Sequence, residues 1–166
     1  MTGAQGLPQH MAEDPLGLHM AQIKQNYSLF LNMIYNTPEA GAHCKLARVV
    51  YTKWYEIASF VYDIVPEFRG VHGRGPSNPL LSYYGDGDRY NEHFDASLVS
   101  ATITLSKDST KFNGGHHLLE GEVELPFEDN KMTIWPGFMH HAVTPVSCRV
   151  QDEKEGLARW SISLLI

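Results

Sequence analysis

The sequence predicts a mainly β protein, in which two N-terminal helices precede a closed or sandwiched antiparallel β unit. The chain has 166 residues, enough for one domain with its own core. Before residue 66, apolar residues recur at the three- and four-residue steps of a helix. After residue 80, the apolar runs become short and alternating, and turn residues separate them.

Two segments of the N-terminal half have the period of an amphipathic helix. The apolar stripe of residues 20–35 consists of Ile23, Tyr27, Phe30, Leu31 and Ile34, and that of residues 45–64 consists of Leu46, Val50, Trp54, Ile57, Val61 and Ile64. Since each stripe covers a single face, we expect both helices to pack on a sheet. Pro66 ends the second helix. Residues 1–18 mix glycine, proline and polar residues, and we expect them to be poorly ordered.

The second half of the chain has the pattern of short strands joined by turns. Strand-like runs are "LLSYY", "LVSATITL", "HHLLEGEVEL", "KMTIWP", "HAVTPV" and "RWSISLLI", and "GDGD", "KDSTKFNGG", "PFEDN" and "CRVQDEKEG" lie among them. No helical segment intervenes, which is typical of antiparallel sandwiches and barrels. We therefore assign residues 19–166 to a single domain, with helical support in 19–66 and the β core in 80–166.

Charge, hydrophobicity and cysteine content limit the kinds of partner and environment that we expect for the protein. The net charge of −6 provides no basic footprint, which disfavours nucleic acid as a partner. No apolar run is long enough to span a membrane. The two cysteines, Cys44 and Cys148, form neither a C-x-x-C unit nor a disulfide framework. We expect a cytoplasmic or other intracellular soluble protein.

A candidate metal site begins at His93 and Asp95. Residues two apart on a strand share a face, so an imidazole nitrogen and a carboxylate oxygen would project into the same space. This is two-thirds of the 2-His-1-carboxylate triad that binds non-haem Fe(II). A lone H-x-D pair is frequent by chance, so the triad needs a histidine from a later strand.

Two pairs of adjacent histidines can supply the third ligand. His140 and His141 begin a strand that follows a turn, and their spacing from His93 leaves both open. Because neighbouring residues on a strand point to opposite faces, only one of the two can face a shared site. His116 and His117 are weaker competitors, since the strand that they begin has the pattern of a sheet face.

The last strand, "ARWSISLLI", adds a cation to the predicted core. Its alternation places Arg159, Ser161 and Ser163 on one face and the apolar residues on the other. A buried arginine is costly unless it is paired, and a carboxylate ligand matches its guanidinium group. The alternative to a buried, paired arginine is an edge strand whose polar face is solvated.

Four segments together resemble the prolyl-hydroxylase-like Fe(II)/2-oxoglutarate dioxygenases. "YGDGDRYNEHFD" is similar to the family's Tyr-x-x-Gly-x-x-Tyr-x-x-His-x-Asp signature, with Tyr84 at its first position. "FNGG" resembles a Phe-x-Gly-Gly element, "HAVTPV" resembles His-x-Val-x-Pro-Val, and "GLARWSISLLI" resembles the closing strand. The four occur in the family's order over residues 80–166.

The resemblance implies a double-stranded β-helix, or cupin-like jelly roll, flanked by the two helices. It implies that His93, Asp95 and His141 bind Fe(II), and that Arg159 binds the distal carboxylate of 2-oxoglutarate. Ser161 and Tyr84 become candidate hydrogen-bond donors to the same cosubstrate.

Register within the "HAVTPV" motif favours His141 over His140. Arg159 lies 18 positions after His141, farther than in much of the family, and we attribute the excess to an enlarged loop over 147–158. That loop contains the alternative arginine, Arg149, which lacks the strand context of Arg159. We expect the loop to be able to close over the substrate.

The implied reaction is hydroxylation of an amino-acid side chain, with peptidyl proline or lysine expected first. It is coupled to oxidative decarboxylation of 2-oxoglutarate, uses O2, and takes ascorbate as a supporting reductant. The partners are thus 2-oxoglutarate and an unknown prime substrate, either a peptide or a small molecule. The alternatives are a cupin-type metal-binding module and a catalytically inactive jelly-roll binding protein.

Overall fold

The computed structural model describes residues 11–13, 20–22, 24–34, 44–71 and 79–166. Most of the segment that we expected to be poorly ordered, 1–18, lies outside the described residues. Residues 72–78 also lie outside the described residues.

Two five-stranded antiparallel sheets form the body of the fold. The first has the order β10 (Val123–Leu125), β9 (His117–Leu119), β12 (His141–Val143), β6 (Arg89–His93), β3 (Lys24–Gln25). The second has the order β11 (Lys131–Pro136), β7 (Val99–Leu105), β14 (Arg159–Leu165), β5 (Leu80–Tyr84), β4 (Tyr27–Phe30). Two small sheets pair β1 (Met11–Glu13) with β2 (Met20–Gln22) and β8 (Phe112–Gly114) with β13 (Val146–Cys148). The predicted mainly β jelly roll is confirmed.

One long helix packs on the second sheet. The described helices are α1 (Leu31–Ile34), α2 (Lys45–Ile64) and α3 (Val150–Lys154), with 3-10 turns at Pro66–Val71 and Ser109–Lys111. The bounds of α2 match the prediction, and Val50 and Trp54 of its stripe are buried against β7 and β14. Ile64 is exposed instead, and Tyr62 takes the buried place. None of the described helices is long and apolar enough to cross a membrane.

The prediction of a helix over 20–35 is wrong for most of its length. Residues 24–25 pair with β6 and residues 27–30 pair with β5, and only the four residues of α1 are helical. The spacing of apolar residues in this segment is compatible with a helix. However, strands β5 and β6 would otherwise lie at open sheet edges, where their backbone N–H and C=O groups need partners. Pairing with those edges satisfies the backbone and overrides the local periodicity.

The closing strand alternates as expected. Arg159, Ser161 and Ser163 line a cavity between the two sheets, whereas Ile162 and Leu164 join the apolar cluster under α2. The jelly roll thus keeps its polar side chains on the inner face and its helix contacts on the outer face.

Candidate active site

The first sheet places His93 and His141 directly opposite each other. The two residues are paired across β6 and β12, and their ring centroids lie 4.1 Å apart. The His141 side chain is 7% exposed, whereas that of His140 is 54% exposed and lies near Glu120. Strand alternation therefore brings one histidine of the pair into the cavity and turns the other to solvent.

Asp95 completes a cluster with these two rings. Its carboxylate oxygens lie 3.8 Å from His93 Nε2 and 3.5 Å from His141 Nε2. One ligand atom from each of the three side chains falls within 4.8 Å of the others. Asp95 lies just beyond the end of β6, where its backbone N–H donates to the Gly137 carbonyl at 2.8 Å. The Ser100 hydroxyl donates to Asp95 Oδ2 at 2.6 Å and orients the carboxylate.

Backbone carbonyls set the orientation of both imidazoles. His93 Nδ1 donates to the Asn91 carbonyl at 2.9 Å, and His141 Nδ1 donates to the Met139 carbonyl at 3.0 Å. In a neutral imidazole, a proton on Nδ1 leaves the lone pair on Nε2. Both Nε2 atoms face Asp95, so the cluster has the donor set and orientation that a divalent iron requires.

Arg159 supplies the charge at another part of the cavity. The residue is 1% exposed, its Nε donates to the Gly115 carbonyl at 2.8 Å, and its Nη1 has no hydrogen-bond partner among the described residues. The Tyr84 ring lies 4.8 Å from the guanidinium carbon. Burial lowers the pKa of Arg159, but a guanidinium stays charged. No carboxylate in the described part of the chain pairs with this buried cation.

The "FNGG" element brings its backbone close to the Arg159 side chain. Gly114 and Gly115 have φ of 74° and 66°, a region that favours glycine. A Cβ on Gly115 would lie 2.5 Å from Arg159 Cδ, and one on Gly114 would lie 2.1 Å from the Pro145 carbonyl oxygen. These glycines therefore serve backbone geometry.

A cavity of about 100 Å³ connects the cluster with Arg159. Residues from both sheets line it: Phe30, Leu80, Ser82, Tyr84, Tyr90, His93, Asp95, Ala101, Thr102, His117, Trp135, His141, Val143, Arg159, Ser161, Ser163 and Leu165. Every residue proposed as a site residue from the sequence is among them. Tyr90 stacks on His93 with centroids 3.6 Å apart, and burial raises its pKa.

His117 is the site residue that the sequence reasoning undervalued. It is buried, lines the cavity, and lies edge-on to Trp135 with ring centroids 4.4 Å apart. Burial, and then the neighbouring His141 and Arg159, lower its pKa to about 3. Its neighbour His116 lies outside with Glu124. The available signal was the adjacent pair itself, because alternation sends one member of any such pair inward.

The 147–158 segment does not close over the cavity. Its residues are absent from the cavity lining, and the segment forms the end of β13 and helix α3 rather than an open loop. Tyr83 donates to the Glu153 carbonyl at 2.8 Å, which holds the segment against the body of the fold. Arg149 is tied to Asp152 at the surface, with a side chain that is 74% exposed. The prediction of a substrate lid in this segment is therefore not supported by the packing.

Comparisons with known proteins agree with this geometry. A family model described as the 2OG-Fe(II) oxygenase superfamily matches residues 79–166, more than half of the chain. A prolyl-4-hydroxylase from Pseudomonas putida shares the fold with a TM-score of 0.56 at 15% identity, over 85% of this chain and 70% of that one. A 2OG-Fe(II) oxygenase family oxidoreductase from Burkholderia pseudomallei matches with a TM-score of 0.50 at 13% identity, over 94% of this chain and 70% of that one. No curated protein sequence matches the chain.

Proposed function

Because the chain belongs to the 2OG-Fe(II) oxygenase superfamily, we propose specific residues for each part of its reaction. The protein is a dioxygenase that uses Fe(II), 2-oxoglutarate and O2. We assign the iron to His93, Asp95 and His141, and 2-oxoglutarate to Arg159 with Ser161 and Tyr84. We propose hydroxylation of an amino-acid side chain as its reaction, with peptidyl proline or lysine as the first candidates.

The metal assignment is supported by the donor set and by what surrounds it. Two Nε2 lone pairs and one carboxylate converge, and carbonyl or hydroxyl partners hold each of the three groups. Such partners keep a ligand in one orientation before the metal arrives. Bound Fe(II) would supply the activation of O2, the oxidant that couples decarboxylation of 2-oxoglutarate to hydroxylation of a C–H bond.

The observation that carries the cosubstrate assignment is the buried, unpaired Arg159. A cation removed from water without a counter-charge is costly, and a ligand carboxylate compensates that cost. Nη1 is the free donor, while Nε is already used by Gly115. Ser161 shares the cavity face of β14, and Tyr84 is paired with Arg159 across β5 and β14. These neighbours would hold the same carboxylate and exclude water around it.

The surroundings of the metal cluster support an amino-acid side chain as prime substrate. Phe94, between two proposed ligands, is 62% exposed, and Phe138, three residues before His141, is 75% exposed. Exposed aromatic rings of this kind pack on a prolyl ring, whereas the exposed carboxylates of Glu92 and Glu120 would pair with a lysyl ammonium. The Pseudomonas putida structure is named as a prolyl-4-hydroxylase, which puts proline first.

The test is succinate formation by the purified protein with Fe(II), 2-oxoglutarate and ascorbate. Three peptides that differ at one residue, proline, lysine or alanine, separate the two candidates from background. We expect the prolyl peptide to stimulate succinate formation and to gain one oxygen atom by mass spectrometry. If 2-oxoglutarate binds but none of the peptides is modified, the peptide proposal is wrong and a free amino acid or another small molecule becomes the candidate.

Arg159 and Arg149 form a matched pair for testing the cosubstrate assignment. Arg159→Gln should raise the dissociation constant for 2-oxoglutarate roughly 30-fold or more, since a buried charge pair is lost. Arg149→Gln should change it less than about 2-fold, because that side chain is solvated. Failure of the wild-type, metal-loaded protein to bind 2-oxoglutarate would instead favour a cupin-type module or an inactive jelly-roll binding protein.

We keep an intracellular soluble compartment as the proposed location. Cys44 and Cys148 are both free thiols, which fits a reducing environment. The oxidation state of the two cysteines in cells, measured by thiol labelling of freshly lysed cells, tests this location. A fraction of labelled cysteine near zero would contradict a reducing compartment.

A further inference from the structure

His117 is a buried polar residue that no part of the proposed mechanism yet uses. It begins β9, the strand next to β12, and it is paired with Val143 across that boundary. The residue is 5% exposed, and its ring centroid lies 5.6 Å from that of His141. Trp135 covers it edge-on. Its ring therefore forms part of the cavity wall beside the metal cluster.

The Nε2 atom of His117 has no hydrogen-bond partner among the described residues. Two other buried nitrogens of the same cavity share this condition, Arg159 Nη1 and Trp135 Nε1. Buried polar groups in folded proteins are generally satisfied, and an unmade bond costs free energy. Three unsatisfied nitrogens around one cavity indicate a ligand rich in acceptor oxygens.

A role as a fourth metal ligand fits the structure less well. The ligand atoms that converge belong to His93, Asp95 and His141, and His117 is not part of that group. The His117 ring is buried and lines the same cavity as the Arg159 guanidinium, so its imidazole stays neutral. A neutral imidazole offers one N–H donor, and an N–H on the unsatisfied Nε2 would be available to an anionic ligand.

We propose that His117 is a cosubstrate-positioning residue whose Nε2–H donates a hydrogen bond to a carboxylate oxygen of 2-oxoglutarate. This inference rests on the proposed function, since it requires 2-oxoglutarate in the cavity between Arg159 and the metal cluster. Arg159 supplies the charge, and His117 fixes the orientation of the bound dicarboxylate relative to His141.

Two substitutions of His117 with side chains of similar size distinguish the loss of the N–H donor from the loss of the ring's volume. His117→Leu removes the N–H, whereas His117→Gln retains an N–H donor of comparable reach. Titration calorimetry of 2-oxoglutarate into the Mn(II)-loaded protein measures the effect without turnover. We expect His117→Leu to raise the dissociation constant at least about 10-fold, the usual effect of losing a hydrogen bond to a charged group. His117→Gln should recover most of the affinity, and His116→Leu should behave as the wild type.

A second readout follows the proton itself. In the Zn(II)-loaded protein labelled with ¹⁵N-histidine, addition of 2-oxoglutarate should shift the Nε2–H signal of His117 downfield. The signal is assigned by its absence from His117→Gln. Mn(II) affinity without 2-oxoglutarate should be unchanged in both His117 variants.

Each contrary result has its own meaning. Wild-type affinity for 2-oxoglutarate in His117→Leu would overturn the inference and leave His117 as a packing residue. Loss of Mn(II) affinity in His117→Leu before 2-oxoglutarate is added would overturn it in favour of a metal ligand. Failure of the wild type to bind 2-oxoglutarate would refute the proposed function, which the first two results would leave intact.

Discussion

Two pairs of adjacent histidines, His116–His117 and His140–His141, begin neighbouring strands of one sheet and end in different environments. In each pair the first histidine lies by a surface glutamate and the second is buried. The buried rings then differ. His141 Nε2 lies 3.5 Å from Asp95 Oδ2, whereas His117 Nε2 has no partner in the described structure.

The difference arises from the neighbouring strand. β12 lies directly beside β6, so His141 faces His93 and the carboxylate that follows it. β9 lies one strand farther away, with β12 between them. Strand alternation therefore decides which histidine turns inward, and strand order decides which inward histidine meets the carboxylate. Substitutions of the four histidines should consequently differ widely in their effects on metal binding and stability.

Loss of His141 should abolish tight metal binding. His141→Ala removes one of three proposed ligands, so its dissociation constant for Fe(II), measured without oxygen, should rise by more than about 100-fold, beyond the usual effect of an outer partner. His140→Ala is the matched control and should stay within about 2-fold, since it alters only a solvated ring. The reverse result would show that the strand is one residue out of register.

Acid should destabilise the metal-free protein through His117. Its pKa is about 3 in the folded chain, against 6.5 for an imidazole in water. Between these pH values the unfolded chain binds a proton that the folded chain does not, so stability falls as pH falls through that window. From pH 7 to pH 5, the wild type should lose about 2 kcal/mol more unfolding free energy than His117→Leu. Urea unfolding at both pH values measures this. An equal loss in the two proteins would contradict a buried neutral ring, and His116→Leu should follow the wild type.

The carboxylate that distinguishes His141 depends on Ser100. Ser100→Ala removes a 2.6 Å hydrogen bond to Asp95, and we expect metal affinity to fall about 10-fold. Ser147→Ala, at an exposed position of β13, is the control and should have no effect on metal binding. If Ser100→Ala binds metal as tightly as the control does, the hydrogen bond from Ser100 is not needed to orient the carboxylate.

The two outward histidines should matter least. His116→Gln and His140→Gln each lose an exposed contact with a glutamate, and each should change the free energy of unfolding by less than about 1 kcal/mol. Thermal or urea unfolding at pH 7 is sufficient. A larger loss would mean that the outer face of this sheet contributes to stability as much as its inner face.

The sequence predicted the elements whose stability is local or repetitive. Helix α2 was predicted with the bounds that it has, because its apolar stripe lies within the helix and Pro66 follows closely after its end. Strand β14 alternated as expected for the same reason. Segment 20–35 was predicted wrongly because its partners, β5 and β6, are distant in sequence, and an open sheet edge outweighs helical spacing.

The residues of the candidate site also fall into those that the sequence could predict and those that it could not. His93, Asp95, His141 and Arg159 belong to short motifs, and the family resemblance placed them together before any geometry was known. Ser100 was missed and His117 was considered only as a weaker metal ligand, since their roles depend on strand pairing rather than on spacing along the chain. The carbonyls that orient the two imidazoles carry no sequence signal at all, because every residue has one.

Gly114 and Gly115 have a consequence for mutational scanning of this protein. Neither has a side chain to touch a ligand, yet a methyl group on either would collide with Pro145 or Arg159. A substitution of Gly115 should displace the guanidinium, and one of Gly114 should displace the backbone at Pro145, so both should be poorly tolerated. A mutational scan interpreted without the structure would therefore assign both glycines to the active site. Their actual contribution is the space that their missing side chains leave for Arg159 and Pro145.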